Sequence, residues 1–165
     1  PLRDRFGIVS KLNYYTDEEL KQIIIRTSKV LKMPIDEMAA MELAKRSRKT
    51  PRIANRLFKR VRDFTLVAGD KKISLETTKK ALNRLNIDEY GLDSLDLEYL
   101  DALITKFNGG PVGAGTIATS IGEEVTTVEE VVEPFLLQEG FVKRSQRGRI
   151  ATEKAYKHLG IAIKK

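Results

Sequence analysis

Near the C-terminus the sequence changes its local grammar, and that change limits the fold more than any other feature. Phe141-Val142-Lys143-Arg144 reads as a strand, residues 145–148 as a turn, and Arg149-Ile150-Ala151 as the return strand. The segments ahead of this hairpin are helical in period. Residues 95–107 read as a helix, Gly109-Gly110-Pro111-Val112-Gly113 as a turn, and residues 116–121 and 126–137 as two further helices. Thr127, Glu129 and Glu130 stand in the opening turns of the last helix, and Gly140 ends it. Three helices followed by a β-hairpin is the order of a winged helix-turn-helix. A plain helical domain with an incidental hairpin is the alternative that the pattern leaves open.

The first half is helical as well, so the fold class is mainly α. Thr16-Asp17-Glu18-Glu19 offers an N-cap with acids in the first turn, followed by apolar residues at Leu20, Ile23, Ile24, Val30 and Leu31. Asp36 opens a second pattern through Met38, Met41, Leu43 and Ala44. Thr50-Pro51 is a cap with proline at the first helical position, ahead of Ile53, Leu57, Val61 and Phe64. Ser74 starts a fourth helix through Ala81, Leu82 and Leu85. Short loops between these four predict a compact helical bundle. Residues 87–92, with Asp88, Glu89 and Gly91, read as a linker.

Charge divides at the same place. Residues 1–86 carry 21 Lys and Arg against 10 Asp and Glu, a net of +11. Residues 87–165 carry 9 against 13, a net of −4. Two domains with different partners are the simplest reading of 165 residues so divided.

Composition removes several function classes. The chain has no cysteine, which excludes disulfides and thiolate metal sites and fits a reducing compartment, so the cytosol is the expected location. No apolar run approaches the roughly 20 residues of a membrane-spanning helix. The lone His158, in AYKHLG, has no second soft ligand to pair with and reads as a packing or capping residue. Glu123-Glu124 and Glu129-Glu130 diverge around a helix and read as solvated N-terminal acids, not as a metal site. Against this acidic background, Lys143, Arg144, Arg147 and Arg149 place four cations in seven residues, and Gly148 allows close approach to a partner backbone. Duplex phosphates are one target for such a tip. A solvated charged loop guarding a β edge is the other reading. The preceding helix, TTVEEVVEPFLLQEG, carries Glu129, Glu130 and Glu133, which argues against major-groove base readout.

Taken in order, PLRDRFGIVSKL, TPRIANRL, GGPVG, IGEE and QEGFVKRSQRGRIAT, with AY and HLG after it, resemble the RuvB family of AAA+ motors over essentially the whole chain. The resemblance implies that residues 1–15 are the tail end of a large ATPase domain, 16–86 its small helical lid, and 87–165 a winged-helix head. It also implies an ATP-driven homohexameric ring that moves Holliday junctions in homologous recombination and DNA repair. Double-stranded DNA, RuvA and, in the resolvase complex, RuvC are the implied partners. The implied cofactor is ATP with magnesium, held mainly by the large domain. No G-x-x-x-x-G-K-[ST] occurs in the sequence, so the chain by itself is expected to be inactive as an ATPase.

Site residues follow from the same resemblance. Arg5, in RDRFG, looks like the arginine finger that reaches a neighbour's γ-phosphate, a task suited to a planar and permanently charged fork. Arg3 is its competitor within the motif, and an ion pair to Asp4 is the plain alternative. Arg52, in TPRIANR, looks like the second-sensor arginine that touches the phosphates of ATP in its own subunit. A basic helix face continuing through Arg56, Lys59, Arg60 and Arg62 is the alternative there. Tyr15 would lie near the adenine, or serve as a core aromatic. Arg144 and Arg149, with Arg147, correspond to duplex contacts on the wing. Two departures stand out: Lys49 where the family usually has glycine, and Ser145-Gln146 where it commonly has Thr-Pro. The second loosens the turn and bears on the reach of Arg144. A winged-helix transcription regulator with a helical partner-binding domain, and an interaction module with no DNA role, are the competing classes.

Overall fold

The helices of the first half begin where their capping residues stand. The computed structural model describes residues 13–163. Helix α1 (Asp17–Val30) opens on Thr16, whose Oγ1 accepts from the Glu19 amide at 3.3 Å while the Glu19 carboxylate accepts from the Thr16 amide at 2.8 Å. Helix α2 (Glu37–Lys45) follows Asp36, and α3 (Pro51–Val67) carries proline in its first turn. Helix α4 (Leu75–Arg84) is capped by Ser74, whose Oγ accepts from the Thr77 amide at 3.1 Å. Leu20 and Ile24 of α1, Leu43 of α2, Leu57, Phe58 and Val61 of α3, and Leu82 of α4 are buried together with Ile73. Val30 and Met38, expected in the apolar stripe, are instead 72% and 68% exposed. Val30 lies ten residues after Leu20, about 2.8 helical turns, which rotates it off the buried face.

These helices form one unit, which runs to Leu85 and includes Glu89–Gly91; Asn86–Asp88 and the chain from Leu92 onward form the second. Helix α5 (Ser94–Asp101) is capped by Asp93 and continues into a π-helical stretch, Ala102–Lys106. Helix α6 (Ala114–Ile121) follows, two residues earlier than its expected start. Next, α7 (Val125–Thr127), π-helical Val128–Val132 and α8 (Glu133–Gln138) form one continuous helical stretch. The π turn was not expected, but Pro134 accounts for its place. Proline has no N–H to give to the Glu130 carbonyl and its ring crowds that group, so the turn ahead of it widens.

Strands β1 (Val142–Ser145) and β2 (Gly148–Ala151) pair antiparallel, and α9 (Glu153–Leu159) closes the unit. Its core gathers Tyr99, Leu100, Leu103, Ile117, Val128, Leu136 and Phe141. The GGPVG segment completes the hairpin. Val112 bridges Arg149, donating to its carbonyl at 3.1 Å and accepting from its amide at 2.8 Å. That bridge explains two glycines. A Cβ on Gly110 would lie 2.1 Å from the Arg149 carbonyl oxygen, and one on Gly148 would lie 2.3 Å from the Val112 carbonyl oxygen. The close backbone approach expected of Gly148 is therefore made to the chain's own Val112. His158 packs, as expected, with its ring centre 5.3 Å from that of Phe141 in a tilted, edge-on arrangement and Nε2 2.7 Å from Asp88 Oδ2.

Candidate nucleic-acid interface

The register of the hairpin sets Arg144 directly opposite Arg149, with Lys143 opposite Ile150 and Ser145 opposite Gly148. Two arginines in facing positions share one side of the ribbon and repel each other unless an anion lies between them. Glu133 is that anion. It is the first residue of α8 and fully buried. Oε1 accepts from Arg149 Nε at 2.7 Å and from the Tyr99 hydroxyl at 3.2 Å; Oε2 accepts from Arg149 Nη2 at 3.0 Å and Arg144 Nη2 at 2.5 Å. Arg149 Nη2 also donates to Glu129 Oε1 at 2.7 Å.

Electrostatics follow from this geometry. Burial pushes the Glu133 carboxyl up, but the hydrogen bonds and charges of Arg149 and Arg144 outweigh it and hold the group below the usual carboxylate range. Burial first, and then the Glu133 charge and hydrogen bond, push the Tyr99 phenol far above its ordinary value. The hydrogen bond to Glu133 likewise raises Arg149. All three groups keep one protonation state across the physiological range.

The candidate cations thus stand in different situations. Arg149 keeps only 14% of its side chain exposed, with its fork turned to two carboxylates, whereas Arg144 keeps 52%. Lys143 and Arg147 are exposed, and their side chains have no hydrogen-bond or ion-pair partner among the described residues. Between them, Ser145 Oγ donates to the Gly148 carbonyl at 3.0 Å and accepts from the Arg147 amide at 3.3 Å. Serine therefore supplies side-chain bonds across a turn that lacks the family's proline. On the preceding helix, Glu129, Glu130 and Val131 face solvent and Glu133 does not. The sequence reading grouped Glu133 with the exposed acids and missed its role. The available signal was the pair Arg144 and Arg149 flanking a four-residue turn, a spacing that needs an anion on the same face.

In the first unit, Tyr15 is 43% exposed and its amide donates to the Lys49 carbonyl at 3.3 Å, which draws it to the start of α3. Lys49 has φ +54°, left-handed backbone that glycine adopts without penalty, which is the physical sense of a glycine at this position. Thr50 makes no side-chain cap and α3 has no acid in its first turn. Arg52 is exposed there, with no side-chain partner among the described residues. An uncapped helix start beside an unpaired arginine suits a phosphate. Arg5 lies outside the described residues. Among those described, no group of three or more histidines and carboxylates could hold a metal ion, and no helix is long and apolar enough to cross a membrane.

Comparison with known proteins agrees with both units. Residues 15–88 match the RuvB AAA lid domain and residues 89–160 the RuvB C-terminal winged helix domain. The Holliday junction branch migration complex subunit RuvB of Acholeplasma laidlawii is 58% identical over 161 residues, covering 98% of this chain and 48% of that protein. Its counterpart from Staphylococcus aureus is 58% identical over 159 residues, covering 96% and 48%. The solved RuvB Holliday junction branch migration motor of Thermotoga maritima superposes with a TM-score of 0.92 at 49% identity, covering 99% of this chain and 55% of that one. The chain spans about half the length of the curated relatives it matches. With two RuvB models matched in order along one sequence, the chain belongs to the RuvB family and carries its lid and C-terminal winged-helix domains.

Proposed function

We propose that this chain is the lid and DNA-contacting part of an ATP-driven motor that moves Holliday junctions in recombination and repair. The observation that carries the reading is the wing. Exposed Lys143, Arg144 and Arg147 project from a unit whose preceding helix turns Glu129, Glu130, Val131 and Pro134 to solvent around its centre. Cations without base-reading donors favour backbone phosphates, and phosphate contacts carry little sequence information. A translocating motor needs that indifference.

On this reading Arg144 and Arg147 meet the duplex directly, and Arg149 stands behind them. The start of α3 offers Arg52 and free amides to the phosphates of ATP in the same subunit, with Tyr15 beside the adenine. Arg5 reaches across to a neighbour's γ-phosphate within a homohexamer. ATP with magnesium supplies the energy of movement, and most of its contacts fall to the large ATPase domain of the family. RuvA and RuvC are the expected working partners, and the cytoplasm the expected location.

The test is fluorescence anisotropy of the full chain with three duplexes of unrelated sequence and a four-way junction, each over a range of salt. Binding that falls steeply with salt and differs little among the duplexes supports the reading. Preference for one duplex points to a transcription regulator. Binding that is absent or indifferent to salt points to an interaction module.

A further inference from the structure

We propose that Glu133 is the positioning residue of the wing, a fixed buried anion that aims Arg144 at the duplex, and that Glu129 is a displaceable anion occupying Arg149 until a phosphate takes its place. The proposal rests on the reading of the wing as a duplex-contacting element.

Glu133 is fully buried and its two oxygens accept four hydrogen bonds, from Tyr99, Arg144 and twice from Arg149. A carboxylate has about four acceptor positions, so this one is saturated and has no capacity left for solvent or ligand. Burying a charge is costly, and an apolar residue would often stabilise the fold as well. What an apolar residue could not do is hold two like-charged side chains together on one face of the ribbon. Arg149 is held through Nε and Nη2, the two-point geometry that fixes a guanidinium in its plane. Arg144 is held through Nη2 alone and keeps its remaining donors for a ligand.

Glu129 differs in every respect. It is 45% exposed and makes one bond to Arg149, on the Nη2 that also touches Glu133. Breaking that bond leaves Glu129 hydrated and frees the Arg149 Nη2 donor that it held. A phosphate oxygen is the same kind of acceptor, with more charge. In the free protein two arginines meet two glutamates, so the face is electrically balanced. Displacing Glu129 restores one positive charge where the phosphate arrives.

The two glutamates therefore predict opposite signs. General electrostatics says that removing any acid near a polyanion tightens binding. The test is fluorescence anisotropy of the full chain with a labelled duplex, comparing wild type, Arg144→Ala, Glu129→Gln and Glu133→Gln. Arg144→Ala is expected to weaken binding and Glu129→Gln to tighten it about two- to threefold. Glu133→Gln is expected to weaken it about tenfold although it removes a negative charge. If Arg144→Ala is weaker but Glu133→Gln binds as tightly as wild type or tighter, the inference falls and the wing reading stands. Glu129→Gln binding more weakly than wild type overturns the role of Glu129. Unchanged binding by Arg144→Ala removes the wing reading and this inference with it. Should Glu133→Gln fail to fold, the wild-type protein carries the test through the Nε–H resonances of its arginines. The proposal expects the Arg149 proton to stay protected from solvent exchange with and without duplex while the Arg144 proton shifts on binding. Free exchange at Arg149 overturns it.

Discussion

At the scale of single residues, the two wing arginines separate into an exposed contact, Arg144, and a largely buried Arg149 that is held by Glu133 and offers a phosphate only the donor Glu129 gives up. Arg144→Ala removes one exposed cation, so it should weaken binding about equally on unrelated duplexes and lower the slope of log K against log salt by ~0.9. Arg149→Ala leaves Glu133 buried with Arg144 as its one remaining counter-charge beside the Tyr99 hydroxyl, and should cost about 3 kcal/mol in urea unfolding. Similar stability for wild type and Arg149→Ala would show that the network does not hold the fold. Acid offers a second check. The folded carboxyl of Glu133 lies below its ordinary value, so the stability it contributes is present above the unfolded pKa of ~4.3 and is lost as pH falls through the lower folded value. Melting temperatures of wild type and Glu133→Gln should differ at pH 7, start to converge as pH falls below the unfolded value of ~4.3, and meet only below the lower folded value. A gap that persists unchanged into acid would mean that the charge of Glu133 contributes nothing. The cations of this site were legible in the sequence because charge is written in residue type. Their anion was not, because TTVEEVVEPFLLQEG holds four glutamates and only the fold distinguishes the fully buried one.

At the scale of elements, capping chemistry made the helix starts readable. Thr16, Ser74 and Pro51 stand where the sequence put them, since a cap is a local event decided within four residues. The π-helical turns at Ala102–Lys106 and Val128–Val132 were not legible in the same way. Pro134 marked the second only to a reader asking how a proline fits inside a helix. The hairpin was legible as a hairpin, but its third partner was not. The Val112 bridge joins residues 37 apart, and nothing local announces it. The bridge makes a direct prediction about glycine. Alanine at Gly110 or Gly148 would drive a Cβ into backbone at 2.1 or 2.3 Å, whereas alanine at Gly122, also at positive φ, meets nothing within 4 Å. Gly122→Ala should cost about 1 kcal/mol, the ordinary left-handed penalty. Gly110→Ala and Gly148→Ala should each cost about 3 kcal/mol or more in chemical denaturation, because backbone cannot move aside as a side chain can. Equal costs at all three positions would mean that φ alone sets the requirement and that the Val112 contact is incidental.

At the scale of the whole molecule, the proposed motor divides its nucleotide chemistry between subunits, and that division has a signature no single subunit can show. Arg5 is proposed to serve the site of a neighbour and Arg52 the site of its own chain. In a protein of the relatives' full length, Arg5→Ala should leave nucleotide binding nearly intact and cut hydrolysis by ~10³–10⁵, the usual contribution of an arginine finger. Arg52→Ala should lower hydrolysis too, through the site it belongs to. Each variant alone is then a poor ATPase, for different reasons. A ring interface is head-to-tail, so one subunit presents its nucleotide site and the next presents its finger. Mixing the two variants creates interfaces in which an Arg5→Ala subunit, with Arg52 intact, offers the site and an Arg52→Ala subunit, with Arg5 intact, offers the finger. In a random one-to-one mixture about a quarter of the interfaces are of this competent kind, and hydrolysis should rise well above the mean of the separate preparations. The measurement is steady-state phosphate release from each variant, from the mixture after subunit exchange, and from a mixture of each variant with itself. If both arginines acted in their own subunit, every site in the mixture would still lack one of them, and no activity would return. If both acted in trans, the finger side of every interface would be incomplete and the result would be the same. Recovery on mixing therefore requires one arginine in cis and one in trans, the arrangement proposed for Arg52 and Arg5.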